Sequence, residues 1–381
     1  WESANTTPTT IGLFTWGDNS NGALGQNQAT PTKYSSPVQI PGDWVYLAMG
    51  TENTGKHMLA RKKNGTLWAW GENEEGALGQ SDTKDYSSPV QIPAPPGNGD
   101  TWCQVSAAGR YTVASRSDGT MWSWGYNGPS GQLGHGQSGS SHKCSSPEQI
   151  SGTGWPTTMG QDARTLSATS NSNLVIKNNN TLWAWGGNSS GQLGLSNRSS
   201  YNSPQQVGSG TDWMSLIQAG SHNVRAAIKE DGTLWSWGYN GQGNLGHNNR
   251  TNISSPKQVP GTTWRSVAAS TATWATKTDG TLWAMGYNNV GQLGQNEAGN
   301  AFGRSSPSQI PGTDWDFAYC WGSTLGATKK DGSMWSAGNS WNGSLGLSEV
   351  QVRRSSPVQM PGSYKGMVFA TSAYGALKSV T

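Results

Sequence analysis

One pattern occurs seven times along the chain, and a repeat of that kind limits the possible folds more than any other property of the sequence. A Trp-Gly pair at Trp16-Gly17, Trp70-Gly71, Trp124-Gly125, Trp185-Gly186 and Trp237-Gly238 weakens to Met285-Gly286 and Ala337-Gly338. Each pair is followed by Gly-x-Leu-Gly, ending at Gly25, Gly79, Gly134, Gly194, Gly246, Gly294 and Gly346. A Ser-Pro-x-Gln element then begins at Ser36, Ser88, Ser146, Ser203, Ser255, Ser306 and Ser356. Three independent signatures agree on the number of units.

Each unit reads as four short strands. In the second, Trp102 to Gly109 closes on small residues that suit the crowded inner strand of a radial sheet. Thr112 to Arg116 follows, ending in the two-residue turn Asp118-Gly119. That turn is matched by Asn64-Gly65, Asp231-Gly232, Asp279-Gly280 and Asp331-Gly332, with Asn179-Asn180 as a substitute, all pairs that tolerate the positive φ of a tight hairpin. In Thr120 to Trp124, Met121 and Ser123 alternate with Trp122 and Trp124. Pro147 is expected to open the outermost strand, where a missing N–H is tolerated and discourages edge-to-edge pairing.

The composition fits such a repeat: 21 Trp and 53 Gly in 381 residues, with only 12% charged. An indole wedged between neighbouring sheets removes about 150–250 Å² from water, on the order of 4–6 kcal/mol. Glycines let the chain turn back after the third strand, and Leu78 and its equivalents are expected to plug the gap between sheets. The last segment, Tyr364 to Thr381, supplies two strands and stops, whereas the chain begins with the missing third and fourth, Ile11 to Trp16 and Ser36 to Ile40. The expectation is therefore an all-β, seven-bladed β-propeller occupying residues 1–381 as a single domain. Its four-stranded blades fall near 44–92, 102–150, 155–207, 213–259, 264–310 and 315–360, with a closure blade built from 364–381 plus 11–40.

Charge and chemistry narrow the function. The net charge is +3 with scattered basic residues, so nucleic-acid binding is not expected. No stretch approaches the roughly 20 apolar residues of a spanning helix, so no membrane insertion is expected. The chain opens at Trp1 without a leader pattern and is expected to be a processed or excised product. Cys103, Cys144 and Cys320 lack metal-ligand spacing and read as buried free thiols. His57 and His222 recur after the inner strand and His135 and His247 after Gly-x-Leu-Gly, so repetition assigns them to structure. His142 completes the set, and none has catalytic or metal-ligand spacing. Asp18 to Gly22 has the look of a calcium loop, but Glu72, Tyr126 and Gly187 stand at the equivalent of Asp18 and no distal Glu follows. No catalytic residue, cofactor or metal is assigned, and the protein is expected not to be an enzyme; a catalytic propeller with a site assembled across blades is the alternative. Asn64, Asn188 and Asn342 begin potential glycosylation sequons, and Gly136 to Lys143 lengthens one surface loop.

The Trp-Gly, Gly-x-Leu-Gly and Asp-Gly positions resemble the regulator of chromosome condensation family over nearly the whole chain, and the spacer Ser35 to Gly42 is similar to that of bacterial and phage-borne members. The resemblance implies a seven-bladed propeller and an activity of binding. Members of that family include a chromatin-bound exchange factor for a small GTPase, domains of ubiquitin ligases and signalling proteins, and a secreted bacterial β-lactamase inhibitory protein. Without a basic arm or a long wedge-like insertion, the exchange-factor and chromatin roles are disfavoured. The expected function is recognition or structure through a protein partner or surface ligand, outside a cell or on a virion. Inhibition of a secreted enzyme is the second reading. Recognition is assigned to the connections between first and second strands, where Arg110, Tyr111, Asn223, Trp274, Trp321 and Tyr374 break the regular pattern. The competing reading is that some of these rings fold inward.

Overall fold

A computed structural model describes residues 10–28, 33–50, 57–94, 101–159, 164–219, 223–340, 345, 347, 352–369 and 373–380. Seven four-stranded antiparallel blades stand in a ring, as the repeat requires. Blade one comprises Trp44–Met49, His57–Lys62, Leu67–Gly71 and Tyr86–Gln91, from the axis outward. Blade two comprises Trp102–Ala107, Tyr111–Arg116, Met121–Gly125 and Cys144–Ile150. The inner strands of blades three to six are Leu166–Ala168, Trp213–Leu216, Trp264–Ala269 and Trp315–Trp321. Closure is as expected: Thr10–Asp18 lies beside Ala373–Val380, with Leu13 opposite Leu377, so the two ends of the chain share one blade. Strand Arg353–Phe369 continues from the outer edge of blade six into that blade.

Pro147 does not open its strand. Cys144 pairs with Gly125 and Glu148 with Ser123, so the strand starts earlier and the proline occupies a break in register between them. A bulge on an edge strand needs no N–H from that residue, which is why proline is tolerated there.

Gly-x-Leu-Gly is held by an asparagine that repetition alone did not single out. Asn19, Asn73, Asn127, Asn188, Asn240 and Asn288 are almost completely buried, and each Oδ1 accepts the N–H of the motif's leucine at 2.9–3.2 Å. Asn19 thus serves the turn, while Asp18 caps Ser20, which accounts for the resemblance to a calcium loop. Asn188 is committed to this role and is no glycan acceptor in the folded protein; Asn342 lies outside the described residues. Gly76 has φ +82° and a Cβ there would come within 2.6 Å of Ser145 Cα in the next blade, while one at Gly79 would meet the Trp124 indole at 2.9 Å.

The leucines are fully buried plugs, and beside them the Trp of the next blade donates Nε1–H to the residue before the leucine: Trp70 to Ala23, Trp124 to Ala77, Trp185 to Gln132 and Trp237 to Gln192. This position packs in one cluster with the third residue of the preceding blade's second strand: Leu59 with Trp124, Val113 with Trp185, Leu174 with Trp237 and Ala226 with Met285, while Trp274 with Ala337 exchanges large for small.

At the opposite face, the second strands of blades one to six end in a cation held between two indoles. Lys62, Lys177, Lys229, Lys277 and Lys329 lie 3.9–5.0 Å from the centroids of paired Trp rings, and Arg116 takes the same place in blade two. In the adjoining turns, Asp231, Asp279 and Asp331 are held below the usual carboxylate range. Each carboxylate accepts first the hydroxyl and then the N–H of the Thr or Ser two residues on. A depressed folded pKa stabilises fully above the unfolded value, near ~3.9, and is lost as pH falls through the folded one. Asn64 and Asn179 make the same bonds without a charge. Asp231, Asp279 and Asp331 replaced together by Asn should therefore give a protein whose urea midpoint falls less than the native protein's between pH 5 and pH 3. Parallel decline of the two would show that these bonds contribute no acid sensitivity.

Candidate functional site

The connections between first and second strands sit at the face that also carries the Gly-x-Leu-Gly turns, but they do not present the expected aromatic rim. Tyr111 is wholly buried, its hydroxyl donating to Thr169 O at 2.6 Å in the next blade. There it joins Arg225, also buried, whose Nη2 donates to Thr169 Oγ1 and Ser172 Oγ at 2.5 and 2.6 Å. Burial lowers the Arg225 pKa to about 10, with Tyr111 opposing. Trp274 is likewise buried because Ala337 leaves an indole-sized gap in blade six; Trp274 fills it and donates to Gln292 O at 2.9 Å. Both rings therefore belong to blade packing and are withdrawn as partner anchors. Arg110 is 40% exposed and lies 3.6 Å from Glu75, which Lys143 also reaches. Asn223 is half-buried. Of Trp321 and Tyr374 only the backbones are described, paired with Thr324 and Trp16. The connection 51–56 lies outside the described residues.

The opposite mouth of the channel offers more. Arg164, just before the inner strand of blade three, reaches across the axis to Val267 O and Ala318 O of blades five and six at 3.5 and 3.3 Å. Its guanidinium lies 5.2 Å from the Phe317 and Tyr319 rings, and Arg265 lies 4.9 Å from Phe317 while pairing with Asp316 at 2.6 Å. Among the described residues the exposed large hydrophobic side chains are Met159, Met214 and Phe302. Of these, Met214 follows Trp213 at the start of the blade-four inner strand, and Met159 lies 3.8 Å from Arg61 Nη1. Burial pushes the Tyr46 hydroxyl, within the field of Arg61 and Arg164, up to about 12, and does the same to the Cys320 thiol. Neither titrates near neutrality. Cys103 and Cys320 are buried and in no disulfide among the described residues, as expected.

Cys144 is only partly buried, contrary to expectation, because the register break turns it toward Glu148, 2.8 Å from Sγ to Oε2. His135 Nδ1 is 3.6 Å from the same carboxylate and its Nε2 is 2.9 Å from Ser123 Oγ. Burial lowers the His135 pKa, Glu148 opposing. The order Glu148, His135, Ser123 imitates a hydrolase triad. Ser123 is fully buried and its hydroxyl donates to Leu133 O at 2.6 Å, so it has no route to a substrate carbonyl. Blade four repeats the Ser236–His247 pair with Lys257 in place of the carboxylate, which marks the pair as a packing element. His57 is also structural, with Nε2 3.1 Å from Thr112 Oγ1, while His222 lies outside the described residues.

Models of the regulator of chromosome condensation (RCC1) repeat match residues 12–55, 64–115, 179–226 and 231–272, and a second model of that repeat matches 164–192, together just over half of the chain. The chain belongs to the regulator of chromosome condensation repeat family. It is 30% identical over 220 residues to the ultraviolet-B receptor UVR8 of Arabidopsis thaliana, covering 57% of this chain and 47% of the receptor. It is 27% identical over 266 residues to the E3 ubiquitin-protein ligase HERC2 of Mus musculus, 68% of this chain but 5% of the ligase. The chain thus spans about half of one relative and a small part of the other. Among solved structures, human WBSCR16 superposes with a TM-score of 0.81 at 18% identity, covering 98% of this chain and 100% of that one. Prp20p of Saccharomyces cerevisiae, described with its binding to Gsp1p and histones, superposes at 0.83 and 18% identity, covering 98% and 93%.

Within this regulator of chromosome condensation repeat, the family signatures account for the scaffold and are silent about the mouth. Arg164, Arg265, Phe317, Met159 and Met214 were missed by the sequence analysis, although one signal was available. Arg265, Asp316 and Met214 all directly follow the aromatic that starts an inner strand, a position free of any repeat consensus. His135, Cys144 and Glu148 were separated by a loop and a proline, and no spacing rule joins them.

Proposed function

We propose that the protein is a non-catalytic recognition module whose protein partner docks at the channel mouth framed by Met159, Met214, Arg265 and Phe317. The observation that carries this reading is the exposure of Met159 at 48% and Met214 at 45%, with Arg265 also exposed at the start of an inner strand, while most other large hydrophobics among the described residues are inside. Methionine and arginine are enriched at protein interfaces, the first because its flexible thioether adapts to a partner's surface. The family relationship supports binding as the activity, since Prp20p is a propeller described with protein ligands. A setting outside a cell or on a virion, with the partner a surface component or a secreted enzyme that is thereby inhibited, belongs to the same proposal. It is motivated by the low charged fraction of 12%.

The test replaces Met159, Met214 and Arg265 together by Ser, and in a second protein replaces Arg110 and Asn223 by Ala on the opposite face. Partner retention during purification should fall at least about tenfold in the first, equivalent to ~1.4 kcal/mol, with an unchanged melting temperature, and remain in the second. Retention that survives the first set and falls with the second would move recognition to the other rim.

A further inference from the structure

We propose that His135, Cys144 and Glu148 form a zinc site on the outer edge of blade two, with the fourth coordination position open. Nitrogen, sulfur and carboxylate donors suit zinc, whereas the thiolate argues against magnesium or calcium. The three donor atoms lie within 4.8 Å of one another. A tetrahedral zinc with bonds of about 2.0–2.3 Å holds its donors about 3.3–3.8 Å apart. The 3.6 Å between His135 Nδ1 and Glu148 Oε2 already meets that spacing. The 2.8 Å between Cys144 Sγ and Glu148 Oε2 must widen, and the Glu148 side chain, 56% exposed, has room to swing.

Hydrogen bonding aims the imidazole. The Ser123 hydroxyl donates to Leu133 O, so its oxygen accepts from His135 Nε2–H and leaves the Nδ1 lone pair facing the carboxylate and the thiol. Two electron-rich groups thus face each other, and the Ser123 hydroxyl fixes the ring as an outer hydrogen-bond partner fixes a metal-ligating histidine.

The other blades supply an internal comparison. The His135 position holds Gln26, Gln80, Leu195, His247, Gln295 and Leu347. The residue paired like Cys144 is Tyr34, Tyr86, Tyr201, Ile253, Arg304 or Arg354, and the one paired like Glu148 is Val38, Val90, Gln205, Lys257, Ser308 or Val358. Only blade two combines the three donors, so the propeller scaffold does not require them. On binding, the Cys144 S–H bond breaks, the sulfur pair forms the Zn–S bond, and the proton leaves through Glu148 to solvent.

The experiment titrates the full chain with zinc by calorimetry and with cobalt by absorption. One equivalent of zinc is expected, and cobalt should give a thiolate-to-metal band in the near ultraviolet that Cys144→Ser abolishes. His135→Gln, Cys144→Tyr and Glu148→Val combined, the residues other blades carry, should weaken zinc binding about 100-fold or more without changing the circular dichroism. Native protein that binds zinc no more tightly than this variant, or a cobalt band that is absent or persists in Cys144→Ser, overturns the site. If the triple variant fails to fold, the Cys144→Ser cobalt spectrum decides alone.

Discussion

Replacement of Trp124 by alanine should destabilise the protein by about 3–5 kcal/mol, read as a lowered urea midpoint at constant slope. The indole is fully buried, packs 5.7 Å from Trp102, and shares a cluster with Leu59 and Leu78 of the preceding blade. Truncation leaves a cavity between two rigid sheets that cannot collapse independently, because the closed ring fixes their separation. It also strips Ala77 O of the indole N–H at 2.8 Å. Trp122→Ala is the natural control: that ring is half-buried, donates to Thr120 Oγ1 and lies under the Arg116 guanidinium without filling an inter-blade gap, so the loss should be smaller. Equal losses at the two positions, or a loss at Trp124 below about 1 kcal/mol, would mean that inter-blade wedging is not what holds the ring together.

The largest non-additive effect is expected between Trp274 and Ala337. In three inter-blade gaps a third-strand indole meets a Leu or Val of the preceding blade's second strand, and here the order is reversed, with the indole on the second strand of blade five. Trp274→Leu should cost about 2–4 kcal/mol for the lost volume and the orphaned Gln292 O. Ala337→Trp alone should cost about 1–3 kcal/mol, since two indoles cannot share the gap. Together they recreate the Leu59–Trp124 pair of blades one and two, and the double variant should recover to within about 1 kcal/mol of the native protein. Denaturation of all four proteins closes the cycle. Additive losses would show that Trp274 does not stand in for the missing blade-six indole.

The scaffold was legible because its determinants are local and repeated. Asp118-Gly119 forces a hairpin wherever it occurs, the leucine of Gly-x-Leu-Gly has one place to go, and a chain that ends after two strands and begins with two more has one economical closure. The buried asparagine at the start of six of the seven loops was nearly as repetitive and was overlooked because its partner is a backbone N–H, which no side-chain pattern advertises. The rim was misread for the opposite reason. Tyr111 and Trp274 look irregular along the chain, but each answers a vacancy in a neighbouring blade: a carbonyl at Thr169 and a missing ring at Ala337.

By itself, then, the amino-acid order determined the number of blades, their four strands and the joining of the two ends, since these rest on turn chemistry and strand alternation within some fifty residues at a time. Only the tertiary structure decided which aromatics are spent on packing, that Met159 and Met214 are exposed, and that a register break at Pro147 swings Cys144 beside His135 and Glu148. Those outcomes depend on what the adjacent blade or strand leaves empty, and a vacancy has no residue of its own in the sequence.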